Sequence, residues 1–205
     1  EMSSLDSIRY MVKFMHCAMV AMEPQTGAVK AWVGDIDFNS WKYDKVKAMR
    51  QPGSTFKLFV YTEAMNQGLT PCDKRRDEYI SMQVYDSKKH EMTTWTPGNA
   101  NGSFSGDSMA LKSAFAKSIN SVAVRLGQEM GIKRIIETAH KMGVDSKLDD
   151  TPSLALGSSD MNLLELADSY CTVADNGRHH APVLVTRIVD RDGKEVYRAP
   201  EDAEQ

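Results

Sequence analysis

The chain has 205 residues, 41% of them hydrophobic and 26% charged, and a net charge of −3. That is enough chain to bury a substantial core in one domain or two, and its balance excludes the basic footprint of a nucleic-acid or anionic-membrane binder. No apolar run reaches the roughly 18 residues of a membrane span, and the opening Glu1-Met2-Ser3-Ser4 lacks the basic start and apolar block of a signal peptide, so any anchor or export signal is expected outside this segment.

Leu5, Ile8, Val12 and Met15 recur at helical intervals and predict a short amphipathic helix over about 5–14. Apolar runs at 17–22 and 28–33 flank the turn chemistry of Glu23-Pro24-Gln25-Thr26-Gly27. They predict a hairpin in a well-covered sheet. After a polar, irregular stretch at 35–50, Pro52 and Gly53 break the chain, residues 54–67 can all stand in a helix, and Gly68 is its natural stop. A charged stretch, 73–78, precedes a second and more exposed hairpin, 79–84 with 91–95, whose tip falls near Ser87-Lys88-Lys89. The loop 96–107, rich in Gly, Asn, Pro and Ser, is long enough to expect a functional role.

From 108 to 177 the pattern is helical. One piece covers about 109–117. Ile119, Val122, Ala123, Leu126 and Met130 mark another, closed by Gly131. Ile132, Ile135, Ile136, Ala139 and Met142 mark a third, closed by Gly143; Leu163, Leu166, Ala167, Tyr170 and Ala174 mark a fourth, closed by Asn176-Gly177. Each stripe fits one buried face, and each stop tolerates a left-handed cap. A last hairpin, 183–189 with 195–197, turns at Asp192-Gly193, and the polar end 200–205 is expected to fray. Helices and hairpins without strand-helix-strand alternation argue against a parallel sheet.

Two short motifs carry chemistry. Ser54 stands at the predicted helix start, where free N–H groups and the positive dipole end favour developing negative charge. Lys57 lies one turn on, within reach of the Ser54 hydroxyl. Phe56, Leu58 and Phe59 surround the pair; burial lowers a lysine pKa, and a neutral amine can take a serine proton. The plain alternative is an N-capping serine with a solvated lysine. Ser118-Ile119-Asn120 falls at the junction of two helical pieces. Its hydroxyl can pass a proton to a leaving group and its carboxamide can hold a peptide group, or either residue simply caps the next helix.

Gln51-Pro52-Gly53-Ser54-Thr55-Phe56-Lys57 followed by Ser118-Ile119-Asn120 resembles the penicillin-binding proteins, and within them the transpeptidase domain of the bifunctional, class A kind. Residues 20–34 (VAMEPQTGAVKAWVG), Trp95-Thr96-Pro97-Gly98-Asn99, Leu154-Ala155-Leu156-Gly157-Ser158 and Leu163-Leu164-Glu165-Leu166-Ala167 agree. The likeness runs from about 10 to about 198. It implies an α+β fold of the penicillin-binding protein/serine β-lactamase type, with an antiparallel sheet flanked by helices, and makes residues 1–205 a partial transpeptidase domain. It further implies Ser54 as nucleophile, Lys57 as base, Ser118 as proton relay and Asn120 as substrate anchor. Peptidoglycan stem peptides would be substrates and β-lactams suicide substrates, with no metal or cofactor. The parent protein would be a membrane-anchored peptidoglycan glycosyltransferase as well, on the outer face of the bacterial inner membrane.

The family's third motif, Lys-Thr-Gly or Lys-Ser-Gly, is absent: Lys112-Ser113 is followed by Ala114 and Lys117-Ser118 by Ile119. The fold is therefore expected to be incomplete at its C-terminal end, short of one oxyanion donor and of the group that holds the substrate carboxylate. An open sheet edge would invite self-association. Losing an oxyanion donor costs about 2.7–4 kcal/mol of barrier, so this segment alone is expected to acylate weakly or not at all. Two other readings stay open: a serine carboxypeptidase or β-lactamase of the same superfamily, and a non-catalytic scaffold module for wall synthesis.

Other residues are read plainly. Cys17, Cys72 and Cys171 lack metal spacing; Cys17 and Cys171 fall in apolar patterns and are expected to be buried thiols. His179-His180 is read as a loop without an acidic partner, Asp149-Asp150 as a solvated loop, and the thirteen methionines as core filling. Trp95 and Asn99 are candidates to line the cleft.

Overall fold

The computed structural model describes residues 3–86 and 90–200; the hairpin tip read at 87–89 and the fraying read at 201–205 lie outside them. The chain folds as two compact units, one formed by Arg50–Met161 and the other by the chain on either side of it.

Within Arg50–Met161 a 3-10 turn, Gly53–Phe56, runs directly into helix α2, Lys57–Asn66. The predicted helix is present but its first turn is the tighter form, so Ser54 lies before the α-helix rather than in it. Strands β3 (Lys74–Arg76), β4 (Met82–Asp86), β5 (Glu91–Trp95) and β6 (Ser108–Ala110) follow. Helices α3 (Leu111–Ala116), α4 (Asn120–Met130) and α5 (Ile132–Lys141) come next, then a 3-10 turn at Pro152–Leu156. The stripes predicted for α4 and α5 meet α2 in the core: Val122, Ala123 and Leu126 of α4, Ile135 and Ala139 of α5, and Phe59, Val60 and Ala64 of α2 are fully enclosed. Burying each large side chain contributes about 1.5–3 kcal/mol. The β4–β5 hairpin is the predicted one, paired Met82↔Trp95 to Asp86↔Glu91.

Two readings here are corrected. Residues 108–110 begin no helix: they form β6, antiparallel to β3 from Lys74↔Ala110 to Arg76↔Ser108. The charged stretch 73–78 thus holds a strand. Three residues are too few to show a period, and their pairing is with chain far off in sequence.

In the other unit, α1 (Ser4–Met11) is capped by Ser3, whose hydroxyl accepts from the Asp6 N–H at 3.2 Å. The helix ends earlier than read, and its apolar stripe is uncovered: Leu5 and Ile8 are exposed, as is Val12 beyond it, at 75%. Strands β1 (Met19–Met22) and β2 (Val29–Val33) form the predicted hairpin, paired Met19↔Val33 and Ala21↔Ala31. It is not well covered; its residues alternate between exposed and half-buried. Helix α6 (Leu163–Ala174) packs on β1 and is capped by Asn162, which accepts from the Glu165 N–H at 3.0 Å. The chain after α6 lays Val183 beside Ala28, with Val29 N–H donating to the Val183 carbonyl at 2.9 Å. Strands β7 (Arg187–Val189) and β8 (Glu195–Arg198) form the last predicted hairpin. The class is α+β, as read, with all named strands in antiparallel two-stranded ladders. No helix among the described residues is long and apolar enough to cross a membrane.

Candidate active site

The turn that carries Ser54 is clamped by the stretch 157–161. Arg50 and Met161 exchange backbone hydrogen bonds of 3.1 and 3.0 Å. Gln51 Nε2 donates to the Ser158 carbonyl at 3.0 Å, and Gly53 N–H to the Gly157 carbonyl at 3.3 Å. Only glycine fits at 157: φ is +74°, and a Cβ there would stand 2.2 Å from the Gly53 carbonyl oxygen. Thr55 Oγ1 closes the turn on the Pro52 carbonyl at 2.7 Å. Ser54 itself is exposed, and no described residue makes a side-chain hydrogen bond to it.

Lys57 opens α2 one turn later and is 1% exposed. Its Nζ donates to the Ser118 carbonyl at 2.8 Å, to Ser118 Oγ at 3.0 Å and to Asn120 Oδ1 at 2.6 Å. These three acceptors match the three protons of an ammonium group. Burial pushes its pKa down from 10.5 to about 8. The amine is therefore still mostly charged at pH 7, but its neutral form lies far closer than for an ordinary lysine, and it faces the 118–120 corner rather than the Ser54 hydroxyl.

The corner itself is strained. Ser118 has φ +53°, a left-handed conformation that costs about 1–2 kcal/mol for a residue with a side chain. Its N–H donates to the Phe115 carbonyl at 2.9 Å and that of Ile119 to the Ala114 carbonyl at 3.0 Å, the paired bonds that usually close a helix on glycine. A serine here closes α3 and at the same time puts a hydroxyl on Lys57. Asn120 begins α4, and neither it nor Ser118 caps that helix. The cap comes from the 96–107 loop: Asn99 Oδ1 accepts from the N–H groups of Asn120 at 2.9 Å and Ser121 at 3.2 Å. Asn120 Nδ2 donates to the Gly98 carbonyl at 2.8 Å.

The structure thus brings Lys57, Ser118 and Asn120 into direct contact and leaves Ser54 one turn before them. Asn99 is buried and holds α4 instead of facing a cleft; Trp95 is half-buried. Asp77 is buried beneath Asn99 and was hidden in a charged stretch that looked solvated; nothing in its spacing marks it.

Elsewhere, Cys17 is exposed, because it precedes β1 rather than lying in it, and Cys171 is half-buried, its thiol pushed up by burial and by Asp168. His179 and His180 do have acidic partners: Asp168 Oδ2 at 2.8 Å and Asp175 Oδ2 at 2.9 Å, supplied by α6 and its end. Asp149 and Asp150 are exposed. Met130, Met142 and Met161 fill the core, but Met15, Met19 and Met92 are exposed. Among the described residues no group of His, Cys, Asp or Glu could hold a metal ion.

Residues 17–205 match the penicillin-binding protein transpeptidase domain. Penicillin-binding protein 1A of Rickettsia prowazekii is 35% identical over 182 residues, 88% of this chain and 22% of that protein. Among solved structures, penicillin-binding protein 1A from Haemophilus influenzae superposes with a TM-score of 0.81 at 28% identity, over 90% of this chain and 27% of that one. PonA1 from Mycobacterium tuberculosis in complex with penicillin V shares the fold, with a TM-score of 0.76 at 20% identity over 95% of this chain and 54% of that one. The chain belongs to the penicillin-binding protein transpeptidase family. It spans about a fifth of the length of the curated relatives it matches, 22% for the Rickettsia prowazekii protein.

Proposed function

We propose that residues 1–205 form part of a D,D-transpeptidase domain that cross-links peptidoglycan stem peptides through an acyl-serine intermediate and is acylated by β-lactams. The observation that carries this reading is the buried Lys57 amine, held by Ser118 and Asn120 one turn behind an exposed Ser54. In its neutral form the amine keeps two protons for its three acceptors and frees a lone pair for the Ser54 hydroxyl. Ser54 Oγ attacks the carbonyl of a D-Ala-D-Ala bond while its proton passes to Lys57 Nζ. The C–N bond then breaks, and the proton moves through Ser118 Oγ to the departing D-alanine amine. An amine of a second stem peptide attacks the acyl-serine and restores Ser54. Asn120 anchors the substrate amide, after exchanging its Lys57 or Gly98 bond for it. No metal or cofactor takes part.

The parent protein is read as membrane-anchored on the outer face of the bacterial inner membrane, with a glycosyltransferase domain of its own, as the penicillin-binding protein 1A relatives suggest. The exposed edges of β7 and β8 offer a surface for self-association. Labelled penicillin tests the assignment in the parent protein. Stoichiometric labelling that maps to Ser54, with slow release, is expected. Absence of label contradicts it, and fast β-lactam turnover makes the chain a hydrolase instead. Labelling of the 205-residue segment alone is expected to be weak, since its third motif is lacking.

A further inference from the structure

Asp77 is 3% exposed and forms no ion pair among the described residues. It is held entirely by uncharged donors: Asn99 Nδ2 at 2.7 Å and Ser121 Oγ at 2.6 Å on one oxygen, and the Ser105 N–H at 2.9 Å on the other. Burial pushes its carboxyl up, but these hydrogen bonds, from Ser121 first and then Ser105 and Asn99, outweigh it and keep the group ionised. A bare buried carboxylate is costly to keep where an apolar residue would pack as well. What it supplies is direction.

An ionised carboxylate only accepts. It therefore forces the Nδ2 end of Asn99 towards itself, where Ser103 carbonyl takes the second proton at 3.0 Å. The Oδ1 end must then face the start of α4, where it receives the N–H groups of Asn120 and Ser121. The same constraint repeats one residue along. The Gly98 carbonyl also only accepts, so Asn120 turns its Nδ2 to Gly98 and its Oδ1 to Lys57. Donor and acceptor ends are thus matched at every step between Asp77 and the amine.

We infer that Asp77 is a positioning residue for Lys57: by anchoring Asn99 and Ser121 it holds the Gly98 carbonyl and the start of α4 in place, and through them the Asn120 carboxamide that meets the amine. This rests on the acyl-serine reading above. With asparagine at 77 an uncharged, weaker acceptor replaces the carboxylate, Asn99 and with it the Gly98 carbonyl and the start of α4 are held less firmly, and Lys57 loses an assured acceptor. A lost acceptor, like a lost nearby negative charge, disfavours the charged amine and lowers its pKa further. No other charge competes at this point. On the elements packed against α2, Glu129 is held by Arg75 and Lys133 by Asp150, while Glu63 of α2 itself is held by Gln67 and Thr138. None of these, nor Tyr61, nor Lys112 of α3 and Lys117 at the end of that helix, which meets α2 at the Tyr61–Phe115 ring pair, nor Arg125, Arg134, Glu137, His140 or Lys141, makes a hydrogen bond or ion pair with the amine.

The experiment measures the acylation rate by fluorescent penicillin against pH in the full parent protein, for the unmodified chain, Asp77→Asn, Asn99→Ala and Thr138→Val. Asp77→Asn and Asn99→Ala are expected to acylate about 10- to 100-fold more slowly, with the acid limb of the profile moved to lower pH. Thr138→Val, which loses a buried hydrogen bond to Glu63 away from the corner, is expected to melt earlier with its limb in place. Asn99→Ala leaves Asp77 its Ser121 and Ser105 partners and carries the test alone if Asp77→Asn does not fold. Unmoved limbs and unchanged rates in both variants overturn the inference while the unmodified chain still labels. An unmodified chain that never labels at Ser54 overturns the acyl-serine reading itself.

Discussion

The Arg50–Met161 unit and the unit on either side of it are built differently. Between Arg50 and Met161 the large side chains of α2, α4 and α5 are fully enclosed, and every element carrying a site residue starts or ends in that core. In the flanking unit, turns and caps form as their local chemistry demands, yet β7 and β8 leave every residue exposed, and the residues α6 buries are Asp168, Ser169 and Thr172. The difference separates two uses of sequence: local signals suffice to make an element, but only a shared apolar core holds side chains to the tolerance that catalysis needs.

The largest effects are expected inside the core-bearing unit. Ser54→Ala or Lys57→Met in the parent protein should lower penicillin acylation by about 10⁴-fold or more; a labelled Ser54→Ala variant would show the nucleophile to be elsewhere. Leu126→Ala should cost about 2–5 kcal/mol in denaturant unfolding, while Ile188→Ala, at a position 48% exposed, should stay within about 0.5 kcal/mol. Equal costs would erase the contrast between the units.

Gly157→Ala sharpens it. The left-handed backbone alone makes the change cost about 1–2 kcal/mol, and the new Cβ would push on Gly53 beside Ser54, so acylation should fall as well. Gly27→Ala meets the Ala181 carbonyl at 2.3 Å with φ +66° in the flanking unit; it should destabilise alike but leave acylation per folded molecule unchanged. Rates that fall equally in both would contradict the separation.

A smaller effect follows from Lys57. Its pKa is near 10.5 in the unfolded chain and about 8 when folded, so between those values the unfolded state binds more protons. Stability gains from this group as pH rises through that window, by up to about 1.4 kcal/mol per pH unit. Burial raises the Tyr61 pKa, and that works the other way above about pH 10. The gain should therefore be sought between pH 8 and 10, in unfolding measured with and without Lys57→Met. An identical pH slope in both proteins would remove Lys57 as its source.

Much of this was legible in the residues. Helix stops at Gly131, Gly143 and Asn176-Gly177 and hairpins at Glu23-Pro24 and Asp192-Gly193 follow from turn chemistry, because each is a local signal; the Ser54 and Lys57 spacing is local too, but its union with Ser118 and Asn120 comes from the family resemblance. What escaped was non-local. The β3–β6 pairing joins Lys74 to Ala110 across 36 residues (110 − 74) with three pairs and no period. Asp77 sits among Lys74, Arg75, Arg76 and Glu78, a composition that reads as solvated; only folding reveals the buried donors around it. The His179 and His180 pairs likewise depend on where α6 ends. Position along a chain places Lys57 near Ser54, and only the packing of α2 against α4 turns its amine to the 118–120 corner.

The central claim is that this amine is held desolvated, with its pKa brought well below that of an ordinary lysine. It is tested most directly by NMR titration of the Lys57 side chain in ¹³Cε-labelled lysine protein, with the resonance assigned by its loss in Lys57→Met. A midpoint at about 8 is predicted; a midpoint at the ordinary 10.5 would contradict the account.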